Sequence, residues 1–305
     1  MPKDRKAYII TGPTAGIGRA TALELAKHGT VVLVGRDPAK LADMQKTIER
    51  KRRRAVSVVC DLSDPVSVRR AAAEIVGLHL PIAALINNAG IRETRATKTA
   101  LGWDTTFATN HLGPFALTEA LVPHLPDGAN VVFLASAVED PERQPAKRFG
   151  FRGARYISAE ASARGEWKPG GSTLAGGDSY ATSKQCSLAT ALAFARETPR
   201  LHFNAVEPGV NVNTGLGRSD MSASARFAAN HILPLLVPVL MPFMPFLSTP
   251  KRAARVITKV AINKAGRTGV YYDERGRPKL GSAQVRDPAF QDRVVAETRA
   301  LLATA

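Results

Sequence analysis

The chain has 305 residues, enough to bury a substantial core as one large α/β domain or as two smaller ones. Hydrophobic residues make up 45% of the chain and charged residues 22%, a composition that excludes an intrinsically disordered protein. The net charge of +16 favours anionic ligands, but the basic residues fall in separate clusters without a nucleic-acid-binding module, so we expect no nucleic-acid partner.

The first ten residues, MPKDRKAYII, lack the long apolar core of a secretory signal, and we therefore expect a cytoplasmic protein. Two cysteines, Cys60 and Cys186, are too few for a disulfide scaffold. Neither they nor the six scattered histidines show the spacing of metal ligands, so we expect no metal site.

Short β-branched runs alternate with amphipathic stretches of helical length, which is typical of repeated βαβ units. The predicted strands are Ala7–Thr11, Thr30–Gly35, Ala55–Cys60, Ala83–Asn87, Asn130–Ala135, Leu201–Glu207 and Val270–Tyr272. The predicted helices are Gly16–His28, Pro38–Arg52, Pro65–Gly77, Gly102–Val122, Ser179–Glu197 and Pro288–Leu302. This alternation predicts a single α/β domain over residues 1–305, a Rossmann-type doubly wound parallel sheet of about seven strands with helices on both faces.

Two segments interrupt the alternation. Residues 137–178 are rich in glycine and charge and too long for an ordinary connection, which predicts a loop insertion that is functional or partly ordered. Residues 228–250 contain an apolar run of sixteen residues, Ile232 to Leu247, which is shorter than the roughly 20 that span a bilayer and is broken by prolines. We expect it to be a lid over a substrate pocket and not transmembrane, while a membrane-surface contact and a buried or oligomer-facing segment stay open.

The first strand runs into TGPTAGIG, where glycines open the following helix. Glycines at such a turn let the backbone approach a pyrophosphate, whose charge then lies on the free N–H groups of the helix N-terminus. The position at the first βα junction predicts a dinucleotide site formed by Thr11, Gly12, Thr14, Gly16, Ile17 and Gly18.

The second strand ends in VGRDP, at the place where the adenine ribose of a dinucleotide is expected. Arg36 can pair with a 2′-phosphate, which predicts NADP(H) as the cofactor. Asp37 beside it leaves two alternatives open, because its carboxylate could repel the phosphate or pair with Arg36 on the surface.

The next two strands end in CDLSDP and INNAG. Asp61 is placed to accept a hydrogen bond from the adenine amino group, and Leu62 to pack against the ring. The small and amide-bearing residues Asn87, Ala89 and Gly90 lie at the carboxyl edge of the predicted sheet, where open α/β sheets bind ligands. A plain side-chain-bonded turn is the alternative for NNAG.

Several motifs now stand in order: TGPTAGIG, NNAG, Asn110 in FATNHLGPF, Ser136 after VVFLA, Tyr180 and Lys184 in YATSK, and EPG at 207–209. Their order and approximate spacing resemble the short-chain dehydrogenase/reductase family over nearly the whole chain. The stretch NHLGPFALTEAL and the C-terminal tail are most similar to its retinol-dehydrogenase-like branch, whose members act on apolar alcohols and carbonyls with NADP(H).

The resemblance implies a catalytic set of Asn110, Ser136, Tyr180 and Lys184. Tyr180 is then the proton donor in reduction and the acceptor in oxidation, and Lys184, four residues along the same helix face, lowers the pKa of Tyr180 and holds the nicotinamide ribose. Ser136 hydrogen-bonds the substrate oxygen, and Asn110 holds a water that connects Lys184 to solvent.

The resemblance further implies that Pro208, Gly209 and Thr214 contact the nicotinamide. The segment after EPG is one residue longer than the usual family form, which leaves open whether Asn213 or Thr214 makes that contact. A homodimer or homotetramer is also implied.

Ser136 and Tyr180 stand 44 positions apart, farther than in compact members of the family. We therefore expect the insertion between them to form one wall of the substrate site, with Arg152, Arg155, Tyr156 and Trp167 among its residues.

The predicted function is that of an NADP(H)-dependent oxidoreductase of the EC 1.1.1 type, which interconverts a small apolar carbonyl compound and its alcohol. Two alternatives stay open. One is a ketoreductase for acyl groups on an acidic carrier protein or coenzyme A, and the other is a non-catalytic NADP(H)-binding regulatory protein.

Overall fold

The structure is a computed structural model and describes residues 6–211 and 246–305. The first half contains β1 (Ala7–Thr11), α1 (Gly16–Leu25), β2 (Thr30–Gly35), α2 (Pro38–Glu49), β3 (Ala55–Val59), α3 (Pro65–Gly77), β4 (Ile82–Asn87), α4 (Thr105–Phe107), α5 (Gly113–Leu121) and β5 (Asn130–Leu134). The second half contains α6 (Gln144–Arg148), α7 (Ala159–Arg164), α8 (Gly177–Glu197), β6 (His202–Val206), β7 (Val210–Asn211), β8 (Leu247–Ser248), α9 (Pro250–Ala261), β9 (Val270–Tyr272), β10 (Pro278–Lys279), α10 (Ala283–Arg286) and α11 (Pro288–Ala303).

Eight strands form one sheet in the order β10-β9-β6-β5-β4-β1-β2-β3, and a separate pair joins β7 to β8. All neighbours in the large sheet run parallel except β9 and β10. The predicted doubly wound parallel sheet is confirmed. Its expected number of about seven strands was one too few, because β10 is a two-residue antiparallel edge strand with too few residues to show an apolar pattern.

Two apolar clusters lie on opposite faces of the sheet. One contains Phe115 of α5 and Leu188 of α8, and the other contains Leu25 of α1, Leu41 of α2 and Ile257 of α9. Strands β1 and β5 are buried along their whole length, as expected for central parallel strands that helices cover on both sides. The structure therefore has three layers.

Four helices begin with the same local signal. Asp37, Asp64, Thr249 and Asp287 each cap a helix through the side chain, accepting a backbone N–H of its first turn. A proline follows each cap directly, where its missing N–H costs no helical hydrogen bond.

The helix predicted over Gly102–Val122 is shorter and less regular than expected. It begins at Thr105, because Asp104 caps it by accepting from the Phe107 N–H at 2.8 Å. A π-helical turn over Ala108–Leu112 then separates α4 from α5. Such turns are rare and only one turn long, so helical periodicity did not reveal it.

The predicted lid segment lies, up to residue 245, outside the described residues, and so do Asn213 and Thr214. In the two described ranges, no helix is both long enough and apolar enough to cross a membrane.

Candidate active site

The glycine-rich turn between β1 and α1 lies where the strand order reverses, at the carboxyl ends of β1 and β4. Gly12 and Gly16 have positive φ angles of 65° and 51°, which favour glycine. A Cβ on Gly18 would stand 2.0 Å from the Gly12 carbonyl oxygen, so the first turn of α1 packs directly on the loop. Thr14 is half-buried in the same turn.

Thr11 and Asn88 bind this turn to the end of β4. The Thr11 hydroxyl accepts the N–H groups of Asn88 and Ala89 at 3.0 and 2.9 Å. The Asn88 amide donates in return to the carbonyls of Thr11 and Gly12, at 2.8 and 3.2 Å. The two loops thus form one rigid edge of the site.

At the end of β2, Arg36 is exposed and Asp37 is engaged elsewhere. The Asp37 carboxylate caps α2 and forms an ion pair with Lys40 at 2.9 Å, and hydrogen bonds from Lys40 lower its pKa. No ion pair of Arg36 is present among the described residues. Pairing between Arg36 and Asp37, one alternative from the sequence, is therefore not found.

At the end of β3, Asp61 and Leu62 are partly committed within the fold. One carboxylate oxygen of Asp61 accepts the Ser63 N–H and hydroxyl at 2.9 and 2.7 Å. The Leu62 side chain is 7% exposed and belongs to the apolar cluster beside α5. Their predicted contacts with an adenine ring stay predictions.

At the end of β4, Asn87 and Gly90 face different neighbours. The Asn87 amide donates to the Thr118 hydroxyl at 2.9 Å, while its carbonyl oxygen is buried without a partner in the described structure. A Cβ on Gly90 would lie 3.4 Å from both Asn110 Oδ1 and Lys184 Nζ. The NNAG turn therefore reaches the residues expected to be catalytic.

Asn110 lies in the π-helical turn and is 2% exposed. Its side-chain oxygen accepts the Ile91 N–H, and its amide donates to the Ile91 carbonyl, both at 2.8 Å. The same amide contacts the Ser183 hydroxyl at 3.1 Å. The Asn110 side chain thus clamps the main chain that leaves the NNAG turn, a contact that the sequence did not predict.

Lys184 projects from α8 into the sheet edge and is 5% exposed. Its ammonium donates to the Leu134 carbonyl at 2.7 Å and lies 5.7 Å from the centre of the Tyr180 ring. Burial lowers the pKa of Lys184 to about 8. An ammonium has three donors, and among the described residues it uses one, which leaves two for a ligand.

Tyr180 lies one turn before Lys184 and is half-buried in the cavity wall. Burial raises the pKa of Tyr180 to about 12, partly offset by the charge of Arg92 and by a hydrogen bond with Ser136. This direction differs from the lowered pKa expected from Lys184. In the chain alone, the cost of burying a phenolate outweighs the charge of Arg92 and the hydrogen bond with Ser136.

A cavity of about 430 Å³ opens in front of these residues. It extends from Ile17 past Ser136 and Tyr180 to Pro208 and Gly209. Gly209 has a φ of 72°, and a Cβ there would lie 3.0 Å from the Phe246 carbonyl oxygen, so the close approach of the two loops requires glycine.

Residues of the insertion line one side of this cavity, among them Phe149, Phe151 and Leu174. The four insertion residues that the sequence singled out are not part of the lining. The Tyr156 side chain is 1% exposed in the core, Trp167 packs against the core, and the guanidinium groups of Arg152 and Arg155 donate to backbone carbonyls.

Two cavity residues, Arg92 and Arg143, were not predicted as site residues. Arg92 follows NNAG by two positions, which was the only available signal. Its contact with the Ala175 carbonyl at 3.0 Å joins positions 83 apart, so spacing could not reveal it.

The donor set fits a nicotinamide dinucleotide better than a metal. In the parts of the chain that the structure describes, no three His, Cys, Asp or Glu side chains cluster as metal ligands. The glycine-rich turn, in which Gly12 and Gly16 have positive φ angles, leads into the N-terminus of α1. The N-cap residue Ala15 has no side-chain acceptor, so the first N–H groups of α1 are available to bind an anion. The free donors of Lys184 and the unpartnered Asn87 oxygen lie along the same sheet edge.

Comparison with known proteins agrees with this geometry. A family model described as short chain dehydrogenase matches residues 6–145. A protein of Streptomyces sp. (strain C5) named as a daunorubicin C-13 ketoreductase is 30% identical over 88% of this chain and 83% of its own length. Human retinol dehydrogenase 13 is 28% identical over 97% of this chain and 84% of its own.

Among solved structures, a short chain dehydrogenase from Burkholderia cenocepacia J2315 in complex with NADP superposes with a TM-score of 0.63. It is 23% identical and covers 90% of this chain and 98% of its own, so the likeness shows a shared fold. The sequence match to the Streptomyces protein, at 30% identity over 88% of this chain, shows common family membership as well as a shared fold. The chain is similar to retinol dehydrogenases, and by its match to the Streptomyces protein it belongs to the short-chain dehydrogenase family.

Proposed function

We propose that this protein is an NADP(H)-dependent oxidoreductase that interconverts an apolar carbonyl compound and its alcohol by hydride transfer, with Tyr180 as acid and base. The observation that carries the proposal is the single cavity that connects Ile17 of the glycine-rich helix start with Ser136 and Tyr180. A substrate in that cavity meets a phenol and a hydroxyl beside the place where a dinucleotide fits.

Each part of the cofactor has a matching group in the chain. The N–H groups at the start of α1 would hold the pyrophosphate, and the exposed Arg36 would pair with the 2′-phosphate. The two free donors of Lys184 would hold the nicotinamide ribose. The bound cofactor supplies the hydride.

The chain's own residues handle the proton. Because the pKa of Tyr180 is raised to about 12, its phenol is protonated at neutral pH and ready to donate to a carbonyl oxygen. The Ser136 hydroxyl, which is hydrogen-bonded to Tyr180, would also contact that oxygen and stabilise its developing charge. The Lys184 ammonium, 5.7 Å from the centre of the Tyr180 ring, would stabilise the tyrosinate left behind.

This protonation state supports carbonyl reduction as the working direction. The apolar wall formed by Phe149, Phe151 and Leu174 supports a hydrophobic substrate. The named activities of the ketoreductase and retinol dehydrogenase relatives are of the same chemical type.

NADPH oxidation on a panel of apolar aldehydes and ketones tests the proposal. We expect Tyr180→Phe to lower kcat on any accepted substrate by about 10²- to 10⁴-fold, the usual contribution of a positioned general acid. Tyr271→Phe is the matched control, because it removes a buried hydroxyl that has no hydrogen-bond partner in the described structure and lies outside the cavity lining. Equal turnover by wild type and Tyr180→Phe would show that another group donates the proton.

A further inference from the structure

The charges inside the cavity are not balanced. Three charged side chains line it: Arg92, Arg143 and Glu207. Glu207 is 6% exposed, and its carboxylate lies 2.5 Å from the Lys279 ammonium, so its charge is paired within the fold. Neither arginine has a carboxylate partner among the described residues.

Arg92 is fixed in place from both ends. Asn110 clamps the main chain of the preceding Ile91 through two hydrogen bonds of 2.8 Å. At the other end, Nη1 donates to the Ala175 carbonyl at 3.0 Å, just before α8 delivers Tyr180. A guanidinium has five N–H donors, and this contact uses one, so donors remain for a ligand in the cavity that Arg92 lines, and the contact already orders the side chain.

Arg143 approaches from the insertion, where it directly precedes α6. It is half-buried beside Pro145, Ala146 and Phe149, which line the same side of the cavity. An arginine that is partly removed from water without a counter-charge is poorly solvated, which strengthens its attraction for an anion in the cavity.

We propose that Arg92 and Arg143 bind an anionic oxygen group of the substrate, for which a carboxylate is the simplest form. The substrate class is then an apolar carbonyl compound that carries an acidic group, with its hydrophobic part against the insertion. Guanidinium groups match the planar geometry of a carboxylate. This inference rests on the proposed function, because it assigns the specificity of the same cavity.

The position of Arg92 also connects recognition to chemistry. Its charge lies close enough to Tyr180 to lower the pKa of the phenol against the effect of burial. An anion bound to Arg92 cancels part of that charge, so the phenol keeps its proton until the carbonyl oxygen accepts it. Arg143 therefore contributes mainly to substrate affinity, whereas Arg92 contributes to both affinity and proton transfer.

The test compares matched acids and esters. The probes are 4-benzoylbenzoate and its methyl ester, and 10-oxodecanoate and its methyl ester. Dissociation constants are measured by calorimetry with NADP⁺ present, and kcat/KM by NADPH oxidation. We expect the acids to bind about tenfold more tightly than the esters, the scale of a hydrogen bond to a charged group, and this ratio to shrink as salt is added.

Arg143→Gln and Arg92→Gln should each bring the acid-to-ester ratio of binding towards one. Arg148→Gln is the matched control, because Arg148 is exposed at the end of α6, the helix that Arg143 precedes, and does not line the cavity; it should keep the wild-type ratio. Equal binding of acid and ester by the wild type, or a ratio that survives in both cavity variants, would overturn the anion site.

The two readouts separate this inference from the proposed function. If the esters turn over as fast as the acids and bind equally well, the proposed oxidoreductase function is supported and the anion site is contradicted. If the acids bind preferentially, Arg143→Gln abolishes that preference and no NADPH is oxidised, the anion site is supported and the proposed oxidoreductase function is contradicted.

Discussion

At the scale of single residues, burial sets the chemistry of the site more than pairwise charge does. It raises the pKa of Tyr180 to about 12 and lowers that of Lys184 to about 8, although the two side chains are neighbours. The phenol thus stays protonated over the whole neutral range, while the ammonium begins to lose its charge just above it. If the proposed function is correct, we therefore expect the titration of Lys184 to limit activity at high pH.

The pH dependence of kcat/KM for NADPH tests this conclusion. Below pH 8 Lys184 is charged and, in the proposed function, would hold the cofactor; above it the charge is lost, so kcat/KM for reduction should fall as pH rises through about 8. Lys184→Arg keeps a charge at all accessible pH values and should move this fall upwards. A flat profile between pH 7 and 10 in the wild type would contradict the assignment.

Arg36 decides the cofactor preference in this account. Replacing it by aspartate removes the partner of the 2′-phosphate and adds a repulsive charge. We therefore expect KM for NADPH to rise at least about tenfold and the ratio of NADPH to NADH use to fall. Lys46→Asp is the control, because it makes the same charge change at the far end of α2. An unchanged ratio of NADPH to NADH use in Arg36→Asp would contradict the 2′-phosphate assignment.

At the scale of elements, the strands and the strand-end motifs could be predicted because each depends on local sequence. Strands β1, β2 and β9 have the predicted bounds, and TGPTAGIG and NNAG meet at one edge of the sheet. The short helices α6 and α7 of the insertion, the π-helical turn and the position of Arg92 were missed. The position of Arg92 depends on its contact with Ala175, and the start of α7 on Glu297, which are far apart in the chain and not connected by periodicity or spacing. The helix α6 has only five residues, too few to show an apolar period.

The first turn of α1 offers an element-scale test. Gly18→Ala would place a methyl group 2.0 Å from the Gly12 carbonyl oxygen, which forces the loop away from the helix. We expect a loss of about 1–3 kcal/mol in the free energy of unfolding, together with weaker NADPH binding. Gly77→Ala is the control, because a Cβ at that helical position meets nothing within 4 Å, and it should leave stability equal or raise it by up to about 1 kcal/mol. Unaltered stability and NADPH affinity in Gly18→Ala would contradict the tight turn.

At the scale of the whole molecule, the insertion is held to the C-terminal part of the chain at two points, one partly buried and one fully buried. Glu297 of α11 accepts the Tyr156 hydroxyl at 2.6 Å and the Ala159 N–H at 2.9 Å. Glu139, which is fully buried, accepts the N–H and hydroxyl of Ser282 at 2.9 and 2.6 Å. The cavity wall is therefore a fixed part of the fold, because it depends on residues more than a hundred positions away.

Removing one of these contacts should lower the free energy of unfolding of the whole fold. Glu297→Ala leaves the buried Tyr156 hydroxyl and the Ala159 N–H without their acceptor, which we expect to cost about 1–3 kcal/mol in the free energy of unfolding. Asp292→Ala on the same helix removes only an exposed ion pair with Arg196 and should cost at most about 1 kcal/mol. Denaturant unfolding of both variants measures the difference. Equal losses of stability would contradict the role of Glu297 in holding the insertion.

The most direct test of the central claim follows the hydride itself. Wild-type protein is incubated with an accepted apolar ketone and NADPH in which both C4 hydrogens of the nicotinamide are deuterium, and the product alcohol is analysed by mass spectrometry. The account predicts one deuterium on the carbinol carbon, and little product from Tyr180→Phe. An alcohol that forms without deuterium, or a protein that binds NADPH and never transfers its hydride to any carbonyl compound, would contradict the proposed function.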